Sequence, residues 1–296
     1  MCIGWVESAA LWYENLRASL SDWGYSPDMC VFNRHDEYGV QCTIAVHVDD
    51  LMITSANGEM IESVSADLIK RYGDITRKSG PIVNHLGMVF DLTTSGKARV
   101  SMTGYVEDML RKSGTIGGAR APATEGLFEV RDDSDMASEE QRVRRLVAKM
   151  LYLAKCARPD CLTAVAYLAT RVTRCSVDDL GKLERLLKYV NNTKDRGIVF
   201  EAGAKGIIVS VLIDAAYGVH PDGRSHTGSC VVVGTRGAVH SKSAKQQIVT
   251  KSSTEAELVA LSDSTNQALH MRHFIIGQGH ACRPVTRTRT TCRVCH

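Results

Sequence analysis

The sequence lacks any unbroken apolar run of the roughly 18 residues that a membrane-crossing helix needs, so no transmembrane span is expected. It also lacks the basic start and continuous apolar stretch of a secretion signal, because Glu7 and Glu14 interrupt MCIGWVESAALWYENLRASL. Proline is scarce, at 6 residues, and no internal repeat is present. The 10 cysteines show no framework spacing, and a chain of this length can build a core without disulfides, so a reducing intracellular setting is the expectation. Charge of one sign is missing too. Against 36 Lys and Arg stand 33 Asp and Glu, and a net +3 offers no electrostatic footprint that would by itself indicate a nucleic-acid partner.

At the C-terminus, Cys292, Cys295 and His296 in CRVCH share the spacing of haem attachment. No helical haem pocket accompanies them, and a closed zinc site wants a full tetrahedral ligand set where only Cys282 lies near. Neither haem nor zinc is expected, and 286–296 are expected to form an unstructured tail. No Asp or Glu follows Asp263.

What is present is an ordinary globular composition, 44% hydrophobic and 23% charged, with a length suited to about two domains. Apolar spacing predicts a helix over Glu7 to Leu20, a pair of strands in MCVFNR and QCTIAVHVDDLMITS, and a helix from Gly58 to Arg71. Further strands turn at Ser95-Gly96, and a short helix runs from Tyr105 to Lys112. The Gly- and Ala-rich stretch Gly114 to Gly126 is the best linker. Three helices follow, near Glu139 to Cys156, Cys161 to Arg174 and Val177 to Asn191, the last capped by Ser176. From about Asp195 the pattern changes to short strands leading into a long helix near Thr254, with Ser252 as cap and Glu255 completing a capping box.

Two acidic constellations carry chemistry. In IAVHVDDLMIT, Asp49 and Asp50 sit together between strand-like runs. A divalent cation would relieve their mutual repulsion, since Mg²⁺ takes carboxylate and phosphate oxygens, although an acidic structural turn shows the same pattern. Farther on, Asp214 ends an apolar run and Glu257 lies early in the long helix. A strand-end aspartate and a helix-borne glutamate can share a metal; taken singly, each also suits a turn or a helix first turn.

HVDDLMIT resembles the (Y/F)VDD(L/M) hairpin of reverse transcriptases, with His47 where an aromatic is usual. Leu11-Trp12-Tyr13-Glu14, Gly24-Tyr25-Ser26, Asp28 and Cys30-Val31-Phe32 resemble the segment preceding that motif in Ty1/copia retrotransposons. ARPDCLTAVAYL, Ala157 to Leu168, resembles their TRPDI..AV..L segment. LIDAAYG, HTGSCVVVG and VHSKSAKQQIVTKSSTEAELVALSDS resemble the ribonuclease H segments of the same elements, the likeness fading near Val285.

The resemblance implies a mixed α/β fold: a partial palm and thumb-like region over 1–120, a helical connection over 121–196, and an incomplete ribonuclease H-like domain over 197–285. It implies Asp49, Asp50, Asp214 and Glu257 as metal-binding catalytic residues, Mg²⁺ or Mn²⁺ as cofactor, and an RNA/DNA hybrid or other nucleic acid as partner. Lys242, Lys245 and Lys251 could face the nucleic-acid backbone or simply be solvated. Family members carry a further palm aspartate upstream of the pair, and another on a strand after the long helix. Neither position has a matching acid here. The expectation is a truncated polyprotein piece, catalytically incomplete, with association to missing polyprotein segments and a cytoplasmic or virus-like-particle location. A weak metal-dependent ribonuclease H and a non-catalytic nucleic-acid-binding protein are the alternatives.

Overall fold

A computed structural model describes residues 6–131, 140–201, 203 and 206–289, so the CRVCH cluster lies outside the described residues. The fold is mixed α/β and divides into two compact units, Met1–Gly80 with Ile276–His280 and Pro81–Ile275 with Ala281–His296.

In the first unit, α1 (Val6–Asp22) precedes β1 (Ser26–Asp28), β2 (Val31–His35), β3 (Gln41–His47) and β4 (Asp50–Ser55), and α2 (Gly58–Tyr72) follows. The four strands form an antiparallel meander in chain order. Alternation along β3 buries Cys42, Ile44 and Val46 while the intervening residues are only half-buried, which is the period of a one-sided strand. Leu16 and Leu20 of α1 and Met60, Val64 and Leu68 of α2 complete that core. Asn57 caps α2 by accepting from the Glu59 amide at 3.0 Å.

The second unit begins with β5 (Ile82–His85), β6 (Met88–Asp91) and β7 (Lys97–Ser101), then α3 (Thr103–Ser113). Gly114, in the left-handed conformation at φ 68°, ends α3 where the predicted linker starts. A 3₁₀ turn over Glu125–Phe128 leads to α4 (Glu140–Cys156), α5 (Leu162–Arg171) and α6 (Val177–Asn192). Their apolar stripes meet in one core, with Met150, Leu153, Val165, Leu186 and Val190 all inaccessible to solvent. Ser176 and Asp179 form the capping box of α6, and Arg171 reaches the buried Asp179 at 3.1 Å.

Next comes β8 (Gly197–Glu201), which the sequence pattern groups with the final domain. Instead it pairs antiparallel with β7 and completes the sheet β5-β6-β7-β8. Glycine permits this approach, because a Cβ at residue 197 would collide with the Val100 carbonyl.

The last sheet has the order β11-β10-β9-β12, built from β9 (Val209–Ala216), β10 (His226–Val233), β11 (Ala238–Lys245) and β12 (Thr286–Arg289). Between β11 and β12 runs α7 (Ser253–Gly277). Residues 286–289, expected in an unstructured tail, form β12 parallel to β9. Their Thr-Arg-Thr-Arg pattern has no apolar residue to announce a strand, and only the pairing with β9 makes one.

Arg158 is the largest fully buried side chain of the unit. Its Nε and Nη2 donate to Asp160 at 2.9 and 2.8 Å, and Nη1 donates to the Thr193 carbonyl at 2.8 Å. Tyr189 lies under the guanidinium and donates its hydroxyl to Asp160 at 2.7 Å. Burial pushes the Asp160 carboxyl up, but the Arg158 guanidinium more than offsets this and holds it below the usual carboxylate range. Replacing Arg158 with Ala should strand a partly buried carboxylate and cost about 3 kcal/mol. Urea unfolding monitored by circular dichroism checks this, and a loss within error of zero would refute it.

His220 and His226 form a second buried polar cluster. Their Nε2 and Nδ1 lie 3.1 Å apart, His226 Nε2 meets Ser243 Oγ at 2.7 Å, and Phe128 packs on both rings. Burial, then the neighbouring His220, pushes the His226 pKa down to about 4. The unfolded imidazole takes its proton near 6.5, so between about 6.5 and 4 the unfolded chain binds more protons than the folded one. Stability should therefore be lost as the pH drops through that window, by about 3 kcal/mol at its lower end. His226→Gln should flatten this slope in unfolding titrations at stepped pH.

Candidate metal-binding acidic sites

The structure sets Asp49 and Asp50 at the tip of the β3–β4 hairpin, where His47 pairs with Asp50 across a two-residue turn of Val48 and Asp49. Val48 has φ 56°, a left-handed conformation that costs a side-chain-bearing residue about 1–2 kcal/mol. This sense of turn follows the twist of the flanking strands. Val48, Asp49 and Asp50 are exposed, and neither carboxylate is in an ion pair among the described residues. Trp12 of α1 donates its indole N–H to the Val48 carbonyl at 2.9 Å and packs edge-on against Tyr72. Nothing local to Trp12, which stands beside the apolar stripe of the first helix and within the LWYE motif, announces this contact with a residue 36 positions away.

The second constellation belongs to the sheet β11-β10-β9-β12 and its helix. Asp214 lies on β9, exposed, opposite Gly228 of β10. Glu257 lies in the first turns of α7, half-buried. Small residues let α7 lie close to its neighbours: Ala256, Ala260, Ser264 and Ala268, spaced four apart, are all inaccessible. Ala268 and Ile275 pack with Val209, Val211 and Val231 of β9 and β10. Buried Gln246 ties the end of β11 to this helix, donating to the Ala256 carbonyl at 2.8 Å and to Thr227 at 3.1 Å. At the helix start, Ser252 accepts from the Glu255 amide, and Glu255 accepts from the Lys251 amide rather than from the Ser252 amide.

Several candidates are committed elsewhere. Lys242 pairs with Asp263 at 3.6 Å and Lys245 with Asp222 at 2.5 Å, so both lysines are engaged within the chain. Asp263 is thereby turned toward β11. His270 and His273 are exposed on α7. Among the described residues, no group of three or more His, Cys, Asp or Glu side chains could hold a metal ion. Both acidic pairs supply hard carboxylate oxygens, the donor type that Mg²⁺ and Mn²⁺ accept.

No family model matches the chain. It is 27% identical to an uncharacterized mitochondrial protein of Arabidopsis thaliana, over 74% of this chain and 90% of that one. It is 22% identical to the transposon Ty1-ER2 Gag-Pol polyprotein of Saccharomyces cerevisiae, over 96% of this chain. It is likewise 22% identical to the retrovirus-related Pol polyprotein from transposon TNT 1-94 of Nicotiana tabacum, over 84% of this chain. The chain spans only 17% and 19% of those two polyproteins. Among solved structures, it resembles the foamy viral protease-reverse transcriptase in complex with RNA/DNA hybrid, with a TM-score of 0.52, 13% identity, and coverage of 98% of this chain and 33% of that one. The fold is thus reverse transcriptase/ribonuclease H-like. The chain is a relative of the Ty1/copia and other retrotransposon polyproteins and corresponds to part of their length.

Proposed function

We propose that these 296 residues form the rear palm, connection and ribonuclease H-like part of a retrotransposon polyprotein, with both acidic sites short of one carboxylate. The observation that carries this reading is β12. It follows α7 and runs parallel to β9, with Arg289 opposite Ile213, the residue before Asp214. By resemblance the third ribonuclease H aspartate belongs on this strand, yet its sequence is Thr-Arg-Thr-Arg, and no acid follows Asp263. In the palm, β1 offers only Asp28 and is separated from β3 by β2.

When bound, Mg²⁺ or Mn²⁺ activates a hydroxyl or water and stabilises the departing oxygen in phosphoryl chemistry. Asp49 and Asp50 would hold it at one site, Asp214 and Glu257 at the other. Two carboxylates without a third leave each cation to water and substrate phosphates, too loosely held for in-line attack. The substrate class at the second site is an RNA/DNA hybrid, told from duplex DNA by its shape and 2′-hydroxyls. On this reading the protein acts inside the cell, in the cytoplasm or a virus-like particle. Among the described residues, no helix is long and apolar enough to cross a membrane.

Cleavage of a labelled RNA/DNA hybrid in Mg²⁺ or Mn²⁺ is the direct test, with Asp214→Asn and Glu257→Gln as controls. No cleavage by folded protein is expected; cleavage abolished by both substitutions would establish a weak ribonuclease H instead. Primer extension on a template should likewise yield no product, and template-dependent incorporation would overturn the polymerase half of the reading.

A second reading, a non-catalytic nucleic-acid-binding protein, draws support from the foamy viral relative in fold, whose structure holds an RNA/DNA hybrid. Salt-dependent retardation of a hybrid by inactive, folded protein distinguishes it, because phosphate contacts weaken steeply as salt rises.

A further inference from the structure

Three non-glycine residues among those described have positive φ: Met29, Val48 and Leu86. All three carry the same device. The carbonyl of each accepts a hydrogen bond from an aromatic side chain distant in sequence: Tyr13 hydroxyl to Met29 at 2.5 Å, Trp12 indole to Val48 at 2.9 Å, and Tyr152 hydroxyl to Leu86 at 2.7 Å. A left-handed residue in a tight turn points its carbonyl away from the strand ladder, so a donor placed there supports a conformation that the residue disfavours. Trp12 and Tyr13 are consecutive on α1 and serve two separate turns of the same sheet.

We infer that Trp12 is a positioning residue for the acidic turn: its indole N–H pins the Val48 carbonyl and thereby sets the direction of Asp49 and Asp50. The Val48 carbonyl and the Asp49 amide belong to one planar peptide unit, so anchoring the oxygen fixes the plane from which Asp49 departs. Trp12 is itself held, edge-on to Tyr72 at 5.0 Å between ring centres, and Tyr72 hydrogen-bonds Asn15 and Ser19 of α1. The positioning role rests on the reading of Asp49 and Asp50 as cation ligands only for its purpose, not for its geometry.

The test uses the full chain labelled with ¹⁵N at Val, Asp and Trp, with Mn²⁺ as the paramagnetic probe. In the unsubstituted protein the Trp12 indole proton should exchange slowly. Trp12→Phe keeps a ring against Tyr72 and deletes the donor. It should shift the Val48, Asp49 and Asp50 amides and weaken Mn²⁺ broadening at the turn about two- to tenfold, the equivalent of one backbone hydrogen bond. Adding Val48→Gly to that variant should restore most of the loss, because glycine holds positive φ unaided. Turn amides unmoved in folded Trp12→Phe protein would overturn the inference. An unprotected indole proton in the unsubstituted protein would overturn it too, and that measurement decides the matter if Trp12→Phe does not fold. Amides that move while Mn²⁺ broadens nothing, even in the unsubstituted protein, would uphold the positioning role and sink the cation reading.

Discussion

The helical part of this chain is organised around one buried guanidinium. Arg158 stands at the junction of α4 and α5, and its donors are divided between Asp160 two residues away and Thr193 at the end of α6. A guanidinium can enter a core only if its donors are met, so the position of Arg158 obliges the end of α4, the start of α5 and the end of α6 to lie within reach of one another. Thr193 leads into Asp195, whose carbonyl accepts from Arg99 of β7, and then into Gly197, where β8 joins the sheet. The RPD segment noted for its family resemblance thus has a physical role: it locks the helix ends from which the following strand departs.

Around that lock, the sheet β11-β10-β9-β12 relies on small residues and shared polar groups. The Ala256-Ala260-Ser264-Ala268 stripe removes the side-chain bulk that would hold α7 away, and Gln246 bridges the end of β11 to the first turns of that helix. Glu257 is consequently presented from a helix whose start is fixed, and Asp214 from a strand paired on both sides. The first unit presents its acids differently. It places two carboxylates on a strained turn and supports that turn from an aromatic residue on a separate helix.

Local chemistry was legible wherever a periodic pattern or a cap controlled the outcome. Alternation in QCTIAVH announced β3, the helical spacing of Met60, Val64 and Leu68 announced α2, and Ser176 with Asp179 announced the start of α6. Asp49 and Asp50 were legible as an adjacent pair in VDD, and Asp214 and Glu257 as acids of two separate motifs, LIDAAYG and STEAE. Partners distant in sequence were not. β8 reads as the first strand of a new domain until its ladder with β7 is seen, and Thr286–Arg289 reads as tail until β9 supplies its hydrogen bonds. Nothing local to Lys242 or Lys245 reveals Asp263 or Asp222 as their partners.

By itself, then, the sequence determined the types of the periodic elements, the capped helix starts and the two pairs of acids. These depend on the side chain itself or on neighbours within a few residues. Only the tertiary structure decided which sheet receives β8, that Thr286–Arg289 form a strand along β9 as far as Ile213, and that an indole holds the Val48 turn. Such outcomes depend on backbone groups meeting across long stretches of chain, where each pairing is settled by the hydrogen bonds left unmet if it fails to form.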